Sequence, residues 1–266
     1  MIDLHPFVEL HAGDGEPILV LPGGGVRDPE YLGDLRDWGI ARPVAVVHLP
    51  GTPRTAGLPG PWWKQGAVLE DIRRSLGLDA IDVLAHSSGT RVALAYAATG
   101  APVRRLGLVA PPATWLTGED DDIATLAEPR LVEPAIRAAL ELPTPSLSDE
   151  KAFRHHQRLS RPLGYARWDG AQRTHARAGT TDMAALRSFF ADPPPETLLT
   201  AIRDLTTPIH IIGGERDLLS GLRPVENLAR GFRRGSLEMI PECGHYPWID
   251  QPELFRRAVE RWAHGL

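Results

Sequence analysis

Ser87 is the residue whose surroundings most clearly predict chemistry. An apolar run leads into Ala-His-Ser-Ser-Gly with Ser87 at its centre, and an alanine-rich stretch follows. A serine is exposed as a nucleophile on a sharp strand-to-helix turn when the residues two positions before and after it are small. Ala85 and Gly89 meet this requirement, and the backbone N–H of Ser88 at the helix start could face a developing oxyanion. The alternative is a plain junction in which Ser87 only caps the helix.

A serine hydroxyl needs a neighbouring base, and the sequence offers His245 late in the chain. His245 lies between the last predicted strand and the final predicted helix, in a loop expected at the same sheet edge as Ser87. Asp217 follows another predicted strand and could accept the second imidazole N–H, which fixes the tautomer and stabilises the imidazolium. A lone loop histidine is often structural, but the order Ser87, Asp217, His245 is a known order of a catalytic triad. We predict these three as the catalytic residues.

A glycine-rich segment after the first predicted strand is a candidate for the second oxyanion donor. Gly23, Gly24 and Gly25 follow Leu-Val-Leu-Pro, and glycine lets the backbone approach a substrate and turn an N–H towards it. We predict Gly24 as this donor, beside Ser88. The segment is a weak candidate for phosphate binding, because it lacks the lysine and the serine or threonine of a P-loop.

The elements that must position these residues are predicted from apolar periodicity. Short apolar runs that end in Gly- or Pro-rich turns predict six strands, and helical patterns lie between them. The strands are Ile18–Leu21, Val44–His48, Ile81–Leu84, Leu106–Ala110, Ile209–Ile212 and Leu237–Ile240, and the helices are Gln65–Leu76, Gly89–Ala98, Pro224–Arg230 and Pro252–Ala263. This alternation predicts an α/β fold with a mostly parallel sheet and helices on both faces.

The alternation breaks between about residues 111 and 207, where the pattern is helical, polar and interrupted by prolines. A helical insertion that returns to the sheet predicts a cap over the carboxyl edge, where open α/β sheets bind ligands. We therefore predict a core of residues 1–112 and 201–266 and a helical cap, or lid, of residues 113–200.

These motifs resemble the α/β-hydrolase superfamily and, within it, the proline iminopeptidase-like group of serine hydrolases. Residues 21–25 are similar to that group's His-Gly-Gly-Pro-Gly oxyanion loop, and residues 85–89 match its Gly-His-Ser-x-Gly elbow. Residues 244–248, Gly-His-Tyr-Pro-Trp, are similar to its catalytic-histidine segment. The resemblance implies the α/β-hydrolase fold, with the helical cap inserted after the sixth strand.

The resemblance also implies where a substrate would bind. In the cap, Trp168-Asp169 resembles the group's Trp-Glu element, whose glutamates hold the free amino group of a peptide substrate. The candidate substrate-binding residues are Gly23, His86, Trp168, Asp169 and Tyr246. For His86, an orienting or packing role beside Ser87 is the alternative.

Several positions depart from the group's pattern. Pro22 stands where the oxyanion loop usually has histidine, and Gly25 stands where it has proline. The segment that begins at His48 lacks the aspartate usual after the next strand, and Asp169 replaces a glutamate. These changes leave the predicted triad intact and bear on the substrate.

Composition and charge argue against several classes of function. The 266 residues carry a net charge of −5 without a dense basic stripe, which predicts no binding to nucleic acid. No apolar run approaches the roughly 18 residues that span a membrane, and the first six residues lack the features of a signal peptide. Cys243 is the single cysteine, which fits a reducing compartment. We therefore expect a cytoplasmic protein without a membrane association.

The leading prediction is a serine hydrolase that cleaves an ester, thioester, lactone or amide bond of a small molecule or short peptide. Release of an N-terminal residue such as proline is one form of it. Such chemistry requires no cofactor and no metal, and His155 and His156 point in different directions on a predicted helix. One alternative is a biosynthetic enzyme that reuses the triad for cyclisation, acyl transfer or lyase chemistry. Another is a ligand-binding module without catalysis, and the oligomeric state stays open.

Overall fold

A computed structural model of the chain describes residues 5–55 and 57–265. Its central feature is a seven-stranded β-sheet. The strands of the described residues are β1 (Val8–His11), β2 (Ile18–Leu21), β3 (Val44–Val47), β4 (Ile81–His86), β5 (Val103–Val109), β6 (Ile209–Gly214) and β7 (Gly235–Ile240). They form one sheet in the order β1-β3-β2-β4-β5-β6-β7. β1 pairs antiparallel with β3, and the other neighbouring pairs are parallel.

β2 and β3 are apolar throughout, and every residue of both strands is buried, as expected where both faces of a sheet are covered. In β2, Leu19 and Leu21 belong to one hydrophobic core, whereas Ile18 and Val20 belong to the core on the opposite face. This alternation follows from the two-residue period of side chains along a strand. Helices must therefore cover both faces of the sheet.

The helices supply this cover and also form the region between β5 and β6. The α helices of the described residues are α1 (Gly66–Ser75), α2 (Gly89–Ala98), α3 (Thr114–Thr117), α4 (Ile123–Ala127), α5 (Pro134–Leu140), α6 (Glu150–Leu159), α7 (Gly170–His175), α8 (Met183–Phe189), α9 (Glu196–Arg203), α10 (Arg223–Gly231), α11 (Pro247–Asp250) and α12 (Pro252–His264). Short 3₁₀ helices lie at Pro29–Leu32, Leu35–Trp38, Trp62–Lys64, Glu128–Arg130 and Arg161–Gly164. Residues of α1, α2, α9 and α10 share one core, and α12 packs on the opposite face with the first two 3₁₀ helices.

The fold class predicted from the sequence is confirmed, with small differences at element ends. All six predicted strands are present, as are the four predicted helices. β1 was not predicted, because it is a four-residue edge strand whose central Glu9 and Leu10 are exposed. The first four residues, part of the segment compared with a signal peptide, lie outside the described residues.

The insertion leaves the sheet one strand earlier than the resemblance implied. It follows β5 rather than a sixth strand, because three strands of the described residues precede the elbow strand β4. The predicted boundary between residues 200 and 201 falls within α9, and Ile202 of that helix is buried in the core beside α2. The division into a core and a cap of residues 113–200 stays a proposal. Within the described ranges, no helix combines the length and apolar character that a membrane span needs.

Candidate active site

Ser87 lies on a sharp turn between β4 and α2. Its φ angle is 51°, a left-handed conformation that a residue with a side chain adopts at a cost in free energy. Its N–H donates to the carbonyl oxygen of Val109 at 2.9 Å, which joins the turn to the neighbouring strand. A Cβ atom at Gly89 would come within 2.4 Å of the carbonyl oxygen of Pro22. Gly89 therefore allows the close approach that the predicted elbow requires.

Asp217 and His245 come from loops after β6 and β7 and form a buried pair. Nδ1 of His245 lies 2.8 Å from Oδ2 of Asp217, and both side chains are almost completely inaccessible to solvent. The other carboxylate oxygen of Asp217 accepts the backbone N–H groups of Leu219 at 2.8 Å and Ser220 at 3.1 Å. Because both oxygens are occupied, the carboxylate has one orientation, and it directs the proton of the imidazole to Nδ1. Nε2 of His245 is then available as a base.

Ser220 is a second partner of this imidazole that sequence reasoning missed. Its hydroxyl donates to the carbonyl oxygen of Ala110 at 3.1 Å, and its oxygen lies 3.3 Å from Nδ1 of His245. The serine is buried and stands three residues after Asp217 in an ordinary turn. No spacing rule marks such a position, so only the fold shows the contact.

In and beside the glycine-rich loop after β2, some backbone N–H groups donate to side chains and others have no protein partner. The N–H of Gly23 donates to the hydroxyl of Tyr31 at 2.5 Å, and that of Gly25 donates to Oγ of Ser88 at 2.7 Å. Within residues 5–55 and 57–265, the N–H groups of Gly24 and Ser88 donate to no other group. Gly24 has a φ angle of 68° and lines the same cavity as Ser87. Among the described residues, the two predicted oxyanion donors are thus without a protein partner.

Tyr31 and His86 hold the loop against the elbow through a chain of hydrogen bonds. Nε2 of His86 lies 3.0 Å from the carbonyl oxygen of His245, which can only accept, so Nε2 carries a proton. Burial and the nearby imidazole of His245 lower the pKa of His86 well below its ordinary value, and its Nδ1 is therefore an acceptor. Burial raises the pKa of Tyr31, so its hydroxyl donates to this Nδ1 at 2.9 Å while it accepts from Gly23. His86 thus connects the loops of Gly23 and His245 through hydrogen bonds, with Tyr31 between His86 and Gly23.

Replacement of Tyr31 by phenylalanine tests this chain of hydrogen bonds. Tyr31→Phe leaves the N–H of Gly23 and Nδ1 of His86 buried without their partner, and an unsatisfied buried polar group costs about 1–3 kcal/mol. We expect the free energy of unfolding in urea to fall by about that amount. A variant as stable as the wild type would contradict the assigned hydrogen bonds. Tyr96→Phe is a matched control for the loss of a tyrosine hydroxyl, because it removes one hydrogen bond to Glu70 far from the site.

A cavity of about 370 Å³ opens at the carboxyl edge of the sheet, beside the predicted triad. Ser87, His245 and Gly24 line it, together with the candidate substrate-binding residues His86 and Tyr246. Asp217 lies behind His245, where the carboxylate contacts the imidazole and not the cavity. The structure thus brings most of the predicted residues to one place.

The other three candidate substrate-binding residues do not line this cavity. Gly23 is buried behind it, where a Cβ atom would come within 2.6 Å of Cβ of Ser87. Asp169 caps α7 by accepting the N–H of Ala171 at 3.1 Å, pairs with Arg167 and is about half exposed. Trp168 lies beside the ring of Tyr165 at 5.4 Å between centroids. The cap carboxylate expected to hold a substrate amino group is therefore used in local structure.

The insertion is fixed to the histidine loop by buried polar contacts. Oδ2 of Asp250 accepts the N–H groups of Gly244 at 2.9 Å and Ala166 at 2.8 Å. Nε2 of His175 donates to the carbonyl oxygen of Tyr31 at 2.7 Å, and its Nδ1 accepts the hydroxyl of Tyr165 at the same distance. Burial lowers the pKa of His175 to about 4, which keeps the ring neutral in this arrangement. These contacts set the position of the insertion relative to the loop of His245 and to Tyr31.

Two other groups singled out in the sequence take no part in the site. Cys243 is buried, and burial raises the pKa of its thiol, so it stays protonated and a poor nucleophile. His155 and His156 lie on α6 between two residues that line the cavity, but they do not line it themselves. No group of three or more metal-ligating side chains suited to a metal ion occurs in the part of the chain that the structure describes.

Comparison with known proteins agrees with this architecture. The model of the alpha/beta hydrolase family matches residues 18–258, which include every residue of the predicted triad. No curated protein is significantly similar to the chain in sequence.

Solved structures give the same fold. An esterase from Exiguobacterium antarcticum is 18% identical with a TM-score of 0.70, and covers 97% of this chain and 94% of its own. A proline iminopeptidase-related protein from Thermus thermophilus is 22% identical with a TM-score of 0.69, at the same two coverages. A thermophilic esterase from Thermogutta terrifontis, with malate bound, is 19% identical with a TM-score of 0.62, again at 97% and 94%. At these identities the likeness concerns the fold.

Proposed function

The chain belongs to the alpha/beta hydrolase family, and from this premise we propose that it is a serine hydrolase of small carbonyl substrates. The observation that carries the proposal is the buried pair of His245 and Asp217, with Nδ1 and Oδ2 at 2.8 Å, at the cavity that Ser87 lines. Serine needs such a base to become a nucleophile, and a buried imidazole held by a carboxylate has the required tautomer.

In the proposed reaction, Oγ of Ser87 attacks the carbonyl carbon while Nε2 of His245 takes the serine proton. Asp217 stabilises the imidazolium, and the N–H groups of Gly24 and Ser88 stabilise the tetrahedral oxyanion. Collapse of this intermediate breaks the bond to the leaving group, which receives the proton from His245. Water then attacks the acyl-enzyme with the same base, and the acid is released as Ser87 regains its proton.

An esterase-type activity is favoured over release of an N-terminal amino acid. Peptidases of that kind must stabilise a substrate ammonium group, which needs a carboxylate in the binding cavity. No aspartate or glutamate of the described residues lines the cavity, and Asp169 lies outside it. We therefore propose an ester, thioester or lactone as the substrate. The single cysteine supports our proposal of a cytoplasmic location.

Labelling with a fluorophosphonate tests the proposal directly, because this probe reacts only with an activated serine. We expect intact-mass analysis to show one adduct on the wild type, and digestion to map it to the peptide that contains Ser87. Ser87→Ala should give no adduct. Ser146→Ala, a change in an exposed loop, should label at the wild-type rate. An adduct that persists on Ser87→Ala, or none on folded wild type, would overturn the proposal.

A further inference from the structure

The cavity beside Ser87 carries an excess of positive charge. Its lining includes Arg27 from the glycine-rich loop and Arg154, Arg161 and Arg177 from the insertion, and no acidic residue of the described chain. Arg154 is paired with Glu150 on α6, at 2.9 Å between Nε and Oε1. For the other three arginines, no carboxylate in residues 5–55 or 57–265 lies within 4 Å. Three arginines therefore line one small cavity, and none of them has a carboxylate partner among the described residues.

Arg27 is held in place with part of its donor capacity unused. One terminal nitrogen donates to the hydroxyl of Tyr246 at 3.2 Å, and the other donates to the carbonyl oxygen of Ala178 at 2.5 Å. The guanidinium carbon lies 4.1 Å from the ring centroid of Tyr31, a cation–π contact that fixes the plane. A guanidinium has five N–H donors, so three are left after these two hydrogen bonds. An oriented arginine with free donors suits an oxyanion group.

Arg161 and Arg177, which belong to the insertion, line the same cavity as Arg27. Burial lowers the pKa of Arg161, and repulsion from Arg27, Arg177 and Arg158 acts in the same direction. All three arginines line one cavity, and the positive charges of Arg27 and Arg177 disfavour the charged form of Arg161. A bound negative charge would relieve this repulsion and accept hydrogen bonds from more than one guanidinium.

We propose that the cavity selects acyl substrates that carry a carboxylate a few bonds from the scissile carbonyl. This inference rests on the proposed serine hydrolase activity and adds the substrate class. Arg27 and Arg161 bind the carboxylate, Arg177 at the cavity rim adds to the attraction, and the scissile carbonyl lies between Ser87 and Gly24. A neutral acyl chain leaves the arginines unpaired, and a cationic one is repelled.

Three p-nitrophenyl esters with six-carbon acyl chains test the charge preference. They are the monoester of adipate, the ester of hexanoate and the ester of 6-aminohexanoate, which differ in the charge at the chain end. We expect kcat/KM for the adipate monoester to exceed that for the hexanoate ester by about tenfold or more, since hydrogen bonds to charged groups are strong. The 6-aminohexanoate ester should be the poorest of the three.

Variants of the arginines connect the preference to the proposed residues. Arg161→Gln and Arg177→Gln should each lower the ratio of adipate to hexanoate kcat/KM several-fold, mainly through KM of the adipate ester. Arg27→Gln should do the same. Because Arg27 also contacts Tyr246, this variant could disturb the shape of the site, so the test depends on the first two variants. Arg137→Gln on α5, an exposed arginine outside the cavity, is the matched control and should leave the ratio unchanged.

The outcomes separate this inference from the proposed function. Hydrolysis of the hexanoate ester with fluorophosphonate labelling of Ser87, but no preference for adipate, overturns the charge selection alone. A preference that survives Arg161→Gln and Arg177→Gln overturns the assigned residues. Failure to hydrolyse any of the three esters, with no labelling of Ser87, overturns the hydrolase proposal and this inference with it.

Discussion

Replacement of Ser87 by alanine is expected to lower kcat/KM for ester hydrolysis on the order of 10⁴-fold or more. Alanine has no hydroxyl to form the acyl-enzyme, and the remaining rate comes only from the oxyanion donors and substrate binding. The variant should keep its fold, because alanine retains the Cβ atom that packs beside Gly23 and shares the backbone preferences of serine at a φ of 51°. Steady-state kinetics with the adipate monoester and thermal unfolding measure the two effects.

The control for this prediction is another serine far from the cavity. Ser75→Ala, at the end of α1, removes only a hydroxyl bonded to the carbonyl of Ile72 and should leave kcat/KM at the wild-type value. A Ser87→Ala enzyme within tenfold of the wild-type rate would show that the nucleophile is another group or that water attacks directly. A large loss of thermal stability would instead mean that the elbow needs its hydroxyl to fold.

Asp217→Asn is expected to lower kcat by about 10⁴-fold with little change in the fold. The reason lies in the two N–H groups of Leu219 and Ser220, which both point at Oδ1 of Asp217. In the variant these donors require the amide oxygen at that position, so the amide NH₂ faces Nδ1 of His245. Nδ1 must then accept, the proton moves to Nε2, and the base can no longer take the proton of Ser87.

The rate of fluorophosphonate labelling and the rate of ester turnover should fall together in Asp217→Asn. Asp34→Asn is a suitable control, because Asp34 caps a short helix at the surface and asparagine is an equally good cap. A loss of only a few-fold in Asp217→Asn would indicate that the hydroxyl of Ser220, 3.3 Å from Nδ1, holds the working tautomer by itself.

Much of the fold and part of the site could be predicted because both depend on local patterns. Buried parallel strands are short apolar runs, and the elbow has a fixed spacing of small residues around Ser87. Each of Ser87, Asp217 and His245 follows a predicted strand, so the strands placed all three at the same edge of the sheet. The structure brings Asp217 and His245 into contact and Ser87 to the same cavity, and their catalytic roles stay predictions.

The contacts that were not predicted join residues far apart in the sequence. Tyr31 is hydrogen-bonded to His86, 55 positions later, and Arg27 is hydrogen-bonded to Tyr246, 219 positions later. Neither pair has a characteristic spacing. For Asp169 the prediction came from a motif and not from the fold. The motif suggested that its carboxylate holds a substrate amino group, whereas in the structure the carboxylate caps α7. Whether a carboxylate binds a substrate or caps a helix depends on its place in the folded chain and not on the motif alone.

The position of the insertion also has a consequence for how the chain folds. Val109 of β5 pairs with Ile212 of β6, which lies 103 residues later, and closing a loop of that length costs about 4 kcal/mol of chain entropy. Gly24 and Ser87 follow β2 and β4, which precede this pairing in the chain, whereas Asp217 and His245 follow β6 and β7. Contacts of such long range form slowly. The proposed nucleophile and its proposed base therefore come together only where this long-range pairing has formed.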